Sequence, residues 1–276
     1  MNSKQKIWFV LKYLVISILA ICQLLPLVLV LFNSLRTDTA IKTNPIALPE
    51  GLHLENYSQT WQSGAYGRAF LNSLVVALAV ILVVLLLASA CAYALAKLEF
   101  KLNGFLIAYF LVAIALPSFL YIVPVYYSFS KLHLTNTLLG LIIIYVAGNL
   151  PFNILLIRTF MVGIPKEVIE ATFVDGCGEM QVFIRMIIPL SKTILMTVAL
   201  LVFLSTWNEF MWANTFLTDE AIRTVATRFV KFTSQYAQDL SKIYTASVIT
   251  LMPVVGLFLV FQKNFINGLT SGGVKG

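Results

Sequence analysis

The chain has 276 residues, of which 59% are hydrophobic and only 11% charged, with a formal net charge of +7 and a mean hydropathy of +0.90. A soluble domain carries roughly 25% charged residues, so this composition excludes an ordinary soluble protein and places the chain among integral membrane proteins. The basic residues are scattered between apolar runs and form no stripe, which argues against nucleic acid as a partner, and the widely spaced Cys22, Cys91 and Cys177 suggest neither a disulfide framework nor a metal site.

A helix needs about 20 mainly apolar residues to cross the hydrocarbon core. Six runs meet this length: Ile7–Phe32, Phe70–Leu95, Phe105–Phe129, Leu138–Ile157, Ile194–Phe216 and Ile243–Gln262. Each is expected to be helical, because backbone polar groups in lipid have no water to pair with. The expected fold is therefore all-α: a single polytopic transmembrane domain over residues 1–276. Pro26, Pro117, Pro124, Pro151 and Pro253 fall within these runs and predict kinks. The first run follows Lys4 and Lys6 and is longer than a cleavable signal core of about 7–15 residues, so an uncleaved span is expected.

Six spans put both termini on one side. With the N-terminus inside, eleven of the 19 Lys and Arg face the cytoplasm and eight the exterior. This positive-inside bias, with the basic N-terminus and the short loop Lys97–Lys101, gives cytoplasmic termini. Residues 35–69 and 217–242 then form long outer loops, the first with a short helix expected at Asn56–Trp61 and the second with Phe229, Phe232 and Tyr236 at helical spacing. Loops of this length carry function or pack over helix ends.

The segment 161–192 is the most unusual inner feature, since a simple connection would need only a short polar turn. Pro165 suits the first position of a helix, and Glu167 would sit near the positive end of its dipole. Ile169, Thr172 and Phe173 fall at i, i+3, i+4 and predict one apolar stripe, with Glu167 and Glu170 off it and the small Ala171 admitting a close neighbour. Gly176 predicts the stop, a second short helix restarts over Glu179–Arg185, and Pro189 turns the chain toward the next span. A helix lying on lipid is one reading, but such helices are rich in Lys and Arg. Here Glu167, Glu170, Asp175 and Glu179 oppose Lys166 and Arg185, and the acidic balance favours a docked protein.

These residues resemble the Glu-Ala-Ala loop of permease subunits of ATP-binding cassette importers. Glu170-Ala171-Thr172, then Gly176, then Met186-Ile-Ile-Pro189 follow the family pattern Glu-Ala-Ala, Gly, Ile-x-Leu-Pro, with departures at Thr172, Met186 and Ile188. Asn72-Ser-Leu74, Ala92-Tyr-Ala-Leu-Ala96, Ile164-Pro-Lys-Glu167, Trp207-Asn-Glu-Phe210 and the ending Asn267–Gly276 are similar to the carbohydrate type, in particular the second permease of maltose-type importers. The resemblance implies a heteromeric complex of this chain, a second permease subunit, two ATPase subunits that bind ATP and Mg, and an extracytoplasmic solute-binding protein. It implies that Glu167, Glu170, Ala171, Thr172, Asp175, Gly176 and Pro189 form the coupling helix pair, with Glu170 in the ATPase cleft. The imported solute would be a mono- or oligosaccharide, polyol or sugar derivative; a different solute class, or a secondary carrier or channel subunit, is the alternative.

The chain's own residues fit a non-catalytic subunit with no cofactor. The nearest approach to a phosphate loop, Gly268 to Gly273, is followed by Val274 and no Lys-Ser/Thr. His53 and His133 stand apart from other metal-ligating residues, and no nucleophilic triad or carboxylate pair falls within one span. For the solute path the candidates are Trp207, Asn208 and Glu209, where an ionisable residue in a span is expected to face the bundle interior or water, with Tyr126 and Tyr127 near the outer end of the third span. Aromatic faces beside amide and carboxylate groups suit sugar rings; the competing reading is an interfacial aromatic belt, with Glu209 paired to a base of the partner subunit.

Overall fold

The structure, a computed structural model, describes residues 3–174 and 176–271, with side chains described for all of these except 3, 4, 6, 7, 10 and 264–271. Among the described residues all regular structure is helical. The helices are α1 (Ser3–Ser34), α2 (Asp38–Thr43), α3 (Glu55–Ser63), α4 (Tyr66–Lys97), α5 (Asn103–Ala115), α6 (Ile122–Lys131), α7 (Leu138–Val162), α8 (Lys166–Val174), α9 (Glu179–Val182), α10 (Ile188–Leu190), α11 (Lys192–Asn208), α12 (Met211–Phe216), α13 (Val225–Gln235) and α14 (Leu240–Ser271). A π-helical turn, Phe183–Ile187, joins α9 to α10.

Among the described residues, four stretches are long and apolar enough to cross a membrane: Leu11–Ser34, Tyr66–Lys97, Leu138–Val162 and Leu240–Lys263. Two bent pairs, Asn103–Ala115 with Ser118–Lys131 at 90° and Glu179–Leu190 with Lys192–Asn208 at 75°, raise the number to six if each pair is one span. The first pair replaces the single kinked helix expected over Phe105–Phe129. Pro117 has no N–H and forces its predecessor out of the helical region; Leu116 accordingly sits at φ −78°, ψ 119°. The expected span Ile194–Phe216 also divides, at Glu209. Pro151 and Pro253, by contrast, lie inside continuous helices.

The chain forms two compact units: Met1–Gly67 with Arg228–Met252, and Arg68–Thr227 with Pro253–Gly276. In the first, α1 keeps most of its described apolar side chains from Trp8 to Leu31 exposed, an arrangement suited to apolar surroundings. Its C-terminal carbonyls have no partner within the helix. Asn56 Nδ2 donates to the carbonyls of Ser34 (3.0 Å) and Arg36 (3.1 Å), and Thr245 Oγ1 donates to Ser34 O (3.2 Å). Arg36 is buried here, and its guanidinium meets neutral acceptors. Its guanidinium donates to Asn33 Oδ1 (2.8 Å), Asn44 O (2.9 Å) and Ala40 O (2.9 Å), so it holds the turn out of α1 and closes the end of α2. Asp38 accepts the backbone N–H of Leu240 (2.8 Å) and so caps the start of α14. A hydrogen bond from the Lys42 ammonium holds the Asp38 carboxyl below its usual range.

In the second unit, Val76, Val80, Val84, Ala88 and Ala92 of α4 recur every four residues and are all buried. Small side chains on one stripe let neighbouring helices approach closely. The opposite stripe, Leu78, Leu82 and Leu86, is exposed. The buried face packs in one cluster with Leu141, Ile144, Tyr145, Ile154, Ile157 and Met161 of α7 and with Val198 and Val202 of α11. Asn72 Nδ2 donates to the carbonyls of Ala221 and Arg223 (both 3.0 Å), and Ser73 Oγ accepts the N–H of Val225 (2.8 Å). The Asn72-Ser73 pair thereby ties the segment 221–225 to α4.

The Arg36 fork supplies a test of the first unit. Arg36→Lys offers one ammonium to three acceptors set for a planar guanidinium and is expected to cost about 2 kcal/mol. Thermal unfolding of the detergent-purified protein measures this, and an unchanged midpoint would show that the fork is dispensable.

Candidate functional site

Two places in the second unit gather the candidate residues. The first is the segment 161–192. α8 is anchored by Ile169, which is buried, while Glu167, Glu170, Ala171 and Val174 are exposed. The expected apolar stripe is narrower than its spacing implied: Thr172 is half-buried and Phe173 is exposed. The outward face is therefore acidic and apolar together. Gly176 ends the helix at φ +83°, the left-handed conformation in which a side chain would be strained. Its N–H donates to Phe173 O (3.0 Å), and the N–H of Cys177 donates to Thr172 O (3.3 Å). This is the bond pair of a Schellman stop, as the glycine predicted. Asp175 lies outside the described residues.

The second half of the segment needs a second accommodation. Pro189 lacks the N–H a regular helix would use and its ring crowds the preceding turn. The chain widens to a π turn just before it, where the Ile188 N–H reaches five residues back to Phe183 O. The chain then bends by 75° between Leu190 and Lys192. Two departures from the family pattern meet inside the segment: Thr172 Oγ1 lies 2.9 Å from Met186 Sδ, a weak acceptor, and also donates to Val168 O (3.0 Å). The hydroxyl that Thr172 adds is thus satisfied by the helix behind it and by the side chain at the other departing position. Tyr93 OH at the end of α4 donates to Glu179 Oε2 (2.6 Å), and Lys97 Nζ donates to Ile164 O (2.6 Å).

The second place is the break between α11 and α12. Glu209 leaves the helix at φ −69°, ψ 124°, and its carboxylate turns onto the start of the next one. Oε1 accepts the N–H of Trp212 (2.8 Å), Oε2 accepts the N–H of Ala213 (3.1 Å), and Tyr145 OH also donates to Oε2. A negative group at a helix N-terminus meets both unpaired donors and the positive end of the dipole. Glu209 is therefore a helix cap held by a tyrosine from α7. Trp207 is buried, with its ring stacked on Phe203 at 5.3 Å and edge-on to Phe70 at 5.4 Å, so it packs in the core. Asn208 is exposed, its amide donating to Leu204 O (2.9 Å). Tyr126 joins this region edge-on to Phe216 of α12 at 5.2 Å. Tyr127 is exposed, with Lys131 Nζ 4.4 Å from its ring centre.

A polar seam that the sequence reading missed runs on from this cap. Ser205 Oγ donates to Asn149 Oδ1 (2.8 Å), Asn149 Nδ2 to Tyr145 O (2.8 Å), and Asn153 Nδ2 to Asn149 O (2.7 Å). Ser205 and Asn208 are exposed, and Asn149 is half-buried. The signal was present as polar residues at positions 145, 149 and 153 in one apolar run and at 205 and 209 in another. Each set is spaced by four and so lies on one helix face. His53 Nδ1 pairs with Glu55 Oε1 at 2.7 Å, His133 sits in a turn at φ 56°, and no metal-holding group of three or more His, Cys, Asp or Glu occurs among the described residues.

Comparison with known proteins finds relatives over most of the chain. Residues 85–270 match the family described as binding-protein-dependent transport system inner membrane component. A probable ABC transporter permease, YurM of Bacillus subtilis, is 34% identical over 91% of this chain and 83% of its own length. The diacetylchitobiose uptake permease NgcG of Streptomyces coelicolor is 31% identical over 90% of this chain and 83% of its own. The melibiose, raffinose and stachyose import permease MelC of Bacillus subtilis is 30% identical over 95% of both chains. A solved bacterial ABC transporter involved in the import of the acidic polysaccharide alginate has a chain of the same fold, with TM-score 0.83, 21% identity and coverage of 96% of this chain and 99% of that one.

The cap can be tested directly. Glu209→Ala strips two helix N–H groups and the Tyr145 hydroxyl of their acceptor and is expected to cost about 3 kcal/mol, and Tyr145→Phe about 1 kcal/mol. Denaturation midpoints of the purified variants measure both. Equal stability of Glu209→Ala and the parent protein would remove the cap assignment.

Proposed function

Because the chain belongs to the family of binding-protein-dependent transport system inner membrane components, we propose that it is one of two permease subunits of an ATP-driven importer for sugars. The transported solute is a mono- or oligosaccharide, a polyol or a sugar derivative. This reading rests on relatives named for diacetylchitobiose, for melibiose, raffinose and stachyose, for arabinooligosaccharides and for trehalose. The chain performs no hydrolysis: ATP and Mg bind on two partner ATPase subunits. A second permease completes the path, and an extracytoplasmic binding protein delivers the solute.

In this reading the chain crosses the plasma membrane six times with both termini in the cytoplasm, each bent pair serving as one span. The segment 161–192 is then cytoplasmic, and its exposed acidic face is the single observation that carries the coupling role. Glu167 and Glu170 project from a helix whose buried side is held by Ile169. Ala171 leaves room for a neighbouring backbone, Thr172 and Gly176 fix where the helix stops, and Pro189 sets the elbow after it; Asp175 belongs to the same set by resemblance. Closure of the ATPase pair around ATP moves this helix pair and switches the membrane helices between inward-facing and outward-facing states.

The solute path follows the polar seam. Polar side chains within membrane spans are costly unless they face the bundle interior or water. Asn208, Ser205 and Asn149 offer amides and a hydroxyl suited to the rim of a sugar. Glu209 shapes the path by capping a broken helix at its edge, Trp207 supports it from the core, and Tyr126 and Tyr127 stand toward the outer mouth. The outer loop over 217–242 meets the binding protein.

Glu170→Arg reverses charge at an exposed position and leaves the fold intact. The ATPase subunits should then fail to co-purify with the permease pair in mild detergent, and uptake by reconstituted vesicles should stop. A Glu170→Arg assembly that stays whole and transports at the parent rate would refute the coupling assignment.

A further inference from the structure

The motif Ala92-Tyr-Ala-Leu-Ala96 and the Lys97 that follows it have no role in the reading above. The segment 161–192 leaves the long helices on either side through two irregular links. At one end Gly163 and Ile164 turn back on α7, their N–H groups reaching Phe160 O (3.0 Å) and Met161 O (3.1 Å), and Pro165 follows. At the other end lie the π turn and the 75° bend. Between these joints the segment is held by packing: Ile169, Val182 and Ile187 are buried in the cluster that includes α4 and α7. The end of α4 braces both joints. Lys97 Nζ donates to Ile164 O at 2.6 Å, beside the first joint, and Tyr93 OH donates to Glu179 Oε2 at 2.6 Å, at the start of the second half. The Tyr93 ring also packs against Phe183 of the π turn, with ring centres 5.2 Å apart.

Tyr93 and Lys97 are four residues apart and therefore share a face of α4. Ala92, Tyr93 and Leu95 at this end of α4 are buried. Leu95 O accepts from Arg158 Nε (3.2 Å) on α7 and from Asn103 Nδ2 (3.1 Å), which satisfies a carbonyl that the helix end leaves open. The braced end is thus fixed to its own surroundings. From Tyr93 the helix runs without a break back to Asn72 and Ser73, which hold the segment 221–225. Positions 72 and 97 are separated by roughly 38 Å along a regular helix at about 1.5 Å per residue.

We propose that α4 is a transmission rod: Tyr93 and Lys97 are positioning residues that clamp the segment 161–192, and displacement of that segment is carried along α4 to residues 221–225. The proposal rests on the coupling role given above to 161–192, and its test separates the two.

The complete complex, with both permeases, the ATPase pair and the binding protein, is compared without nucleotide and trapped with Mg-ATP and vanadate, and backbone amide exchange is followed at α8 and at 221–225. In the parent complex exchange at both places should change by about fivefold or more on trapping, a size typical of coupling between sites. In Tyr93→Phe, which keeps the ring on Phe183, and in Lys97→Ala, α8 should still respond while the response at 221–225 falls below about twofold. Lys97→Arg, which restores a donor, should recover it; a merely structural role would predict no such recovery. Glu179→Ala removes the acceptor from an exposed position and should match Tyr93→Phe even if that variant folds poorly. A parent complex in which α8 responds and 221–225 does not, or variants in which both respond as in the parent, overturns the rod. A parent complex in which α8 itself is indifferent to trapping overturns the coupling role and the rod with it.

Discussion

A backbone that leaves the helix in apolar surroundings strips partners from its own N–H and carbonyl groups, and each group left bare costs several kcal/mol there. This chain breaks its helices at Leu116–Pro117, at Ser191 and at Glu209. At Glu209 the interaction that makes the break tolerable is explicit: one carboxylate takes two N–H groups of α12 and a hydroxyl from α7. The orientation of α12, the aromatic contacts of Trp212 and Phe216 and the start of the polar seam all follow from that cap. The same logic recurs where Arg36 closes the end of α2 and where the π turn absorbs Pro189.

Polar groups are sorted by how completely they are satisfied. Glu209 and Tyr145 are committed to each other and to backbone, so they set geometry. Ser205 and Asn208 have surfaces to spare and lie exposed on the same seam. The acids of α8 are another case, projecting outward from a helix fixed on its other side by Ile169. Satisfied groups build the scaffold; accessible ones are left to meet a solute or a partner chain.

Departures from a family pattern are informative when they touch. Where the motif that the segment resembles has alanine and isoleucine, this chain has Thr172 and Met186, and the hydroxyl of one lies 2.9 Å from the sulfur of the other. The hydroxyl already donates to Val168 O in its own helix. The thioether, a soft and weak acceptor on a flexible stem, accommodates it.

Composition and periodicity alone established a helical membrane protein, because apolar runs of this length admit few other solutions. The glycine stop at Gly176 and the acidic face of α8 were legible for the same reason: a glycine's freedom and a 3.6-residue period are local properties. The 90° break at Pro117 was legible only as a kink, since a proline disrupts its own turn but cannot say which neighbours accept the freed groups. Glu209 read as a residue facing the path or a partner subunit, Trp207 as a candidate for the solute, and Tyr145, Asn149 and Ser205 did not stand out at all. Their roles depend on partners more than fifty residues away, brought together by the packing of α7 on α11. The brace from Tyr93 and Lys97 is of the same kind, with partners 86 and 67 residues distant. Sequence determines what a segment can be, through rules that act within a turn or two. Which polar groups satisfy one another across helices is decided only when the buried stripe of α4 and its facing helices close.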